Sequence, residues 1–158
     1  MKVLHSFLIV FVSLVLCSCA AITKEEKNYS KNGLTIAFRS LSFLDDVQNV
    51  KFLYPIILSE ENIRNHLLSL YRQDILRPRK PTPVFSVAAV KEMAPLFKIV
   101  MKKVKPKKYL HFQYQTSRGI TEGQVFATSK KLYWHILQIN GVAYSNDPLR
   151  IRKPTWKL

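Results

Sequence analysis

Cysteine is nearly absent: the 158-residue chain has two, Cys17 and Cys19, separated by one serine near its start. A folded part without further cysteine holds no internal disulfide and no thiolate metal site. Glycine is scarce too, and four glycines are too few for a glycine-rich loop that cradles phosphate. Acidic residues number ten against twenty-five lysines and arginines. Six of the ten form adjacent pairs, Glu25-Glu26, Asp45-Asp46 and Glu60-Glu61. Those pairs suit a tether, a loop and a helix start rather than two carboxyls facing each other across a cleft. Four histidines stand alone, without His-x-x-x-His spacing, and no G-x-S-x-G elbow occurs. Internal repeats and sustained heptads are missing as well. No metal site and no cofactor is expected from these residues.

What is present is a foldable, basic chain. A hydrophobic fraction of 47% with 11% aromatics belongs to a protein with a core, and the length suits one domain. The formal net charge is +15. Such a charge keeps a small domain soluble and draws it toward anionic surfaces, an attraction that salt weakens.

The one long apolar run, Phe7–Leu16, is broken only by Ser13 and follows a short positive start at Lys2. It has the order of a secretory signal and is too short to span a bilayer comfortably. An uncleaved anchor running from Ser6 to Ile22 is the alternative, at the lower limit of a spanning helix. Leu16-Cys17-Ser18-Cys19 resembles the lipobox of bacterial lipoproteins: an aliphatic residue, a variable one, a small one, then the cysteine to be modified. The resemblance covers about the first twenty residues and defines a processing class, not a fold. It implies that residues 1–18 are a signal peptide and that Cys19 becomes the lipidated mature N-terminus. Cys17 fits poorly, because Leu16 would then precede the cut where a small residue is expected. In a two-membrane bacterium, Ala20 after the cysteine implies the periplasmic face of the outer membrane. Two or three acyl chains would anchor the protein stably, where one would be marginal.

Residues 19–32 read as the lipidated cysteine and a polar tether, reaching roughly 40 Å if extended. The folded part is expected over residues 33–158 as a single α+β domain: a small, mainly antiparallel sheet with two helices packed on one face. Strands are expected at Leu34–Phe38 and Val50–Tyr54. A helix capped by Ser59 should end near Tyr71–Ile75, and a proline-rich basic loop should span Arg77–Pro83. A second helix, Ser86–Val104, should be kinked or divided by Pro95. The C-terminal third alternates as strands Tyr109–Gln115, Gln124–Thr128 and Leu132–Ile139. Arg118–Gly123 reads as a hairpin loop, Asn140-Gly141 as a turn and Leu149–Leu158 as a loose basic tail.

The basic clusters are the candidate functional residues. Lys98, Lys102, Lys103, Lys105, Lys107 and Lys108 form one, and Arg77, Arg79 and Lys80 a second. Arg150, Arg152, Lys153 and Lys157 form a third. Anionic lipid, or an acidic envelope protein, fits an exported address better than nucleic acid does. The expectation is therefore a non-enzymatic accessory or adaptor domain held at a membrane. An envelope enzyme using groups such as His111, His135 or Glu122 is the alternative, as is a structural subunit of an export assembly.

Overall fold

The computed structural model describes residues 27–41, 51–74, 80–144 and 156–158. Cys17, Cys19, Asp45, Asp46, Val50, Arg77, Arg79, Arg150, Arg152 and Lys153 lie outside the described residues, as do the signal and most of the tail. The architecture is α+β, as the sequence pattern predicts. Strands β1 (Asn28–Lys31), β2 (Leu34–Ser40), β5 (Lys108–Thr116), β6 (Gly119–Ala127), β7 (Leu132–Ile139) and β8 (Val142–Ala143) form an antiparallel sheet in the order β1-β2-β5-β6-β7-β8. A smaller sheet, in the order β4-β3-β9, joins Thr82–Pro83, Tyr71–Asp74 and Trp156–Lys157.

Helices α1 (Glu60–Leu68) and α2 (Val87–Met101) cover one face of the large sheet. Each begins at the expected serine. Ser59 Oγ accepts from the Asn62 amide at 3.0 Å, and Ser86 Oγ from the Ala89 amide at 3.2 Å. Glu60 and Glu61 lie in the first turn of α1, where the helix dipole favours negative charge. Ile63 and Leu67 from α1 join Val90, Met93, Phe97 and Val100 from α2 in one buried cluster with Ile36, Leu110, Phe112 and Val125 of the sheet. Phe97, Phe112 and Trp134 meet edge to face, with centroids 5.2 to 6.1 Å apart. Such pairs add about 0.5–1.5 kcal/mol each beyond the area they bury.

Helix α2 runs through Pro95 without being divided. Met93 and Ala94 before it and Phe97 after it are all buried against the sheet. That burial on both sides offsets the missing amide, which costs about 3 kcal/mol in an isolated helix.

Other boundaries moved where a distant partner intervened. Asn28–Lys31 lies inside the expected tether, yet pairs with β2 across Asn32-Gly33, so the sheet takes in residues before Gly33. Helix α1 stops at Leu68, where Ser69 Oγ donates to the His66 carbonyl at 2.8 Å, and Tyr71–Asp74 is extended. Thr82–Pro83, expected as loop, pairs with that strand from its edge, where proline is tolerated. Of the expected strand at Val50–Tyr54, the described residues 51–54 form a bridge between Phe52 and Thr128. The Arg118–Gly123 loop shrinks to a turn at Ser117-Arg118, because residues from Gly119 onward pair with β5 on one side and β7 on the other. The end of the tail is docked, not loose: Trp156 is 4% exposed and donates its indole N–H to the Val142 carbonyl at 3.2 Å.

Candidate functional site

Antiparallel pairing brings the start of β1, the end of β2, the start of β5, the end of β6 and the start of β7 to one end of the sheet. The short connection 102–107 brings the C-terminus of α2 there too. Lys102, Lys103, Lys105 and Lys107 sit exposed in that connection, with Lys108 half-buried beside Ser40 and Lys98 in the last turn of α2. Lys130 and Lys131, which belong to none of the three basic clusters in the sequence, lie exposed in the β6–β7 turn at the same end. Lys27 and Lys103 reach one aromatic ring from different parts of the chain, their Nζ atoms 5.8 and 4.9 Å from the centroid of Tyr29. A helix C-terminus favours nearby cations, which accounts for part of this accumulation. It does not account for Lys27, Lys130 or Lys131. Lys80, the described member of the second cluster, lies exposed just before β4 and outside this connection.

The same end carries the segment Leu53–Leu58. Its Leu53 amide donates to the Ala127 carbonyl at 2.8 Å and its Ile56 amide to the Met101 carbonyl at 3.2 Å. Burial pushes the Tyr54 hydroxyl above the usual phenol range, and the backbone of Lys107 opposes this in part.

Comparison with known protein families, curated proteins and solved structures gives no match for this chain. The geometry therefore stands by itself.

Two other features could bear on chemistry. On the sheet face opposite the helices, the register sets His111 beside Gln124 and Gln124 beside His135. The His111 Nε2 lies 2.7 Å from Glu122 Oε1, with the two side chains 16% and 26% exposed. Gln124 bridges the array, its Oε1 3.2 Å from His135 Nδ1 and its Nε2 3.4 Å from Tyr109 Oη. His111, Glu122 and His135, isolated in sequence, thus share one polar face. An imidazole oriented by a carboxylate can take up a proton at its other nitrogen. No group of three or more metal-ligating side chains occurs among the described residues. At the end of the sheet away from the lysines, a cleft of about 650 Å³ is lined by Arg72, Thr82, Ser86, Tyr114, Arg118 and Asn140. Neither arginine belongs to a basic run, so sequence reading had no signal for this cleft.

Proposed function

We propose that this protein is a bacterial envelope lipoprotein, lipidated at Cys19, whose domain acts as a non-enzymatic adaptor and grips an anionic partner with its lysine-rich end. One observation carries the reading. Lysines from the start of β1, the α2–β5 connection and the β6–β7 turn collect at the end where the chain arrives from its N-terminal segment. A solvated, evenly basic surface would not require that convergence. Salt should weaken the contact, since exposed charges are screened beyond about 8 Å at physiological ionic strength.

Native purification from membranes in mild detergent, at low and then moderate salt, tests this reading. The wild-type chain is expected to bring down an anionic companion that is shed as salt rises. A variant carrying Lys102→Glu, Lys103→Glu, Lys105→Glu and Lys107→Glu should lose at least about tenfold of that companion, given about 1 kcal/mol per lysine near an anionic surface. Equal recovery with both chains would reject the lysine-rich end as the binding surface.

The His111–Glu122 contact favours a second reading, an envelope enzyme whose site is assembled on the open sheet face. On that reading Glu122→Gln and His111→Ala each lower turnover of a peptidoglycan or lipid substrate by about 10²-fold or more, the usual share of a general acid–base group. Turnover unchanged in both variants would dismiss it.

A further inference from the structure

We infer that the lysine-rich end is a membrane-docking surface, and that the anionic partner of the adaptor reading, on which this inference rests, is the phospholipid bilayer to which the chain is tethered. The deciding residues are apolar. Within the segment pinned between β6 and α2, Ile56 turns into the core at 3% exposure, while Leu53 and Ile57 remain 47% and 70% exposed. These two aliphatic side chains line one shallow depression together with Lys130, Lys131 and Leu132. Exposed aliphatics bordered by lysines suit a boundary where hydrocarbon lies beneath phosphate. The aliphatic groups enter the headgroup layer and the lysine stems carry their charges back to the phosphates.

Composition separates this occupant from a protein. Protein interfaces are enriched in aromatic anchors and arginine and depleted in lysine, whereas this end exposes Lys27, Lys102, Lys103, Lys105, Lys107, Lys130 and Lys131 beside Arg39 and Tyr133. An amphipathic tyrosine suits a headgroup layer as well as a protein. Charge complementarity points the same way. The acids nearest in sequence, Glu25-Glu26 before Lys27 and Asp45-Asp46 before Lys51, are fewer than the lysines gathered there. The tether adds a constraint of length. The strand Asn28–Lys31 follows Cys19 by only eight intervening residues, 20–27. At about 3.3 Å per residue the end therefore stays within roughly 25–30 Å of the bilayer, in reach of the headgroups. A domain held so closely by this end presents the arginine-lined cleft at the other end away from the membrane.

The test uses the full mature chain, lipidated and reconstituted through its own anchor. Cys19 is acylated in that chain, so Ile57→Cys supplies the only free thiol for a polarity-sensitive fluorophore. Val87→Cys, at the start of α2 and 73% exposed, supplies a control at the opposite end. In vesicles containing phosphatidylglycerol, the label at position 57 should shift to the blue and be quenched by nitroxide-labelled acyl chains, while the label at 87 stays aqueous. Pure phosphatidylcholine vesicles, or the four lysine-to-glutamate changes, should abolish the response at 57. A label at 57 that stays aqueous on anionic vesicles overturns docking, and so does an equal response at 87. If docking fails while the lysine variant still loses a protein companion in the purification above, the adaptor reading survives with an acidic protein as its partner. A mature chain without lipid by mass spectrometry, betrayed also by a second labelled thiol, would instead remove the lipoprotein reading.

Discussion

A Cys19→Ser chain is expected to accumulate as full-length precursor, whereas Cys17→Ser should mature normally. The two thiols lie two residues apart behind the same apolar run, so their surroundings in an apolar helix would be nearly equivalent. Only a reaction that reads position separates them. Cys19 has Ser18 before it and Leu16 three places upstream, while Cys17 has the bulky Leu16 where a small residue is expected. The effect is all or none, because lipid attachment precedes the cut. Incorporation of labelled fatty acid and electrophoretic mobility measure both steps. Opposite results for the two substitutions would move the anchor to Cys17. Normal processing of both would leave a cleaved, unlipidated chain. Full-length chain from both, as from wild type, would leave an uncleaved anchor. The predicted membrane attachment is strong because a single acyl chain binds only marginally, whereas two or three hold a protein firmly.

The legible parts of the fold were those whose causes are local. Ser59 and Ser86 cap their helices through their own side chains, and the alternation of Leu110, Phe112 and Tyr114 marks a strand in a window of a few residues. Asn140-Gly141 was legible as a turn for the same reason. The identical signal at Asn32-Gly33 lies inside a polar stretch that otherwise reads as tether. Both pairs have positive φ at both residues, 49° and 77° at Asn32-Gly33 and 49° and 79° at Asn140-Gly141, as a tight hairpin requires. Strand Tyr71–Asp74 had no such signal. One of its partners, Trp156–Lys157, comes from the far end of the chain, and the other, Thr82–Pro83, is two residues long and contains proline, so neither marks the strand in the sequence. The lysines around Lys102 were legible as a run, but their meeting with Lys27 and Lys130 depends on strand register. Leu53 and Ile57 carry no local sign of their exposure: nothing in the stretch from Phe52 to Leu58 separates them from core residues, and only the fold leaves them outside.

Replacing Gly123 by valine is expected to unfold the domain, and alanine there should cost about 1–3 kcal/mol, the usual range for overpacking a filled core. Gly123 lies opposite Phe112 in the β5–β6 ladder, and the Phe112 ring occupies the space a side chain would need. A Cβ at residue 123 would stand 2.8 Å from Phe112 Cε1 and 2.9 Å from the His135 carbonyl oxygen. Neither neighbour yields easily. Phe112 is fully buried against Phe97, Trp134 and Phe85, and the His135 carbonyl belongs to the backbone of β7. The register shift between Glu122 and Gly123 lies at the same point, next to the His111–Glu122 contact. Thermal unfolding followed by circular dichroism reads the cost of alanine as a lower midpoint, about 2–8 °C per kcal/mol for domains of this size range. Valine adds two methyl groups to the same clash, against a total stability of about 5–15 kcal/mol for a domain. The double variant Gly123→Ala with Phe112→Leu assigns the cause. Losses that fall short of the sum of the single variants place the clash in the Phe112 ring, because only contacting residues couple in this way. Additive losses place it in the His135 carbonyl, where no change of side chain gives relief. A Gly123→Ala chain as stable as wild type would show that the Phe112 ring and the β7 backbone yield together, and that the close approach of β6 to its neighbours is not what holds this sheet.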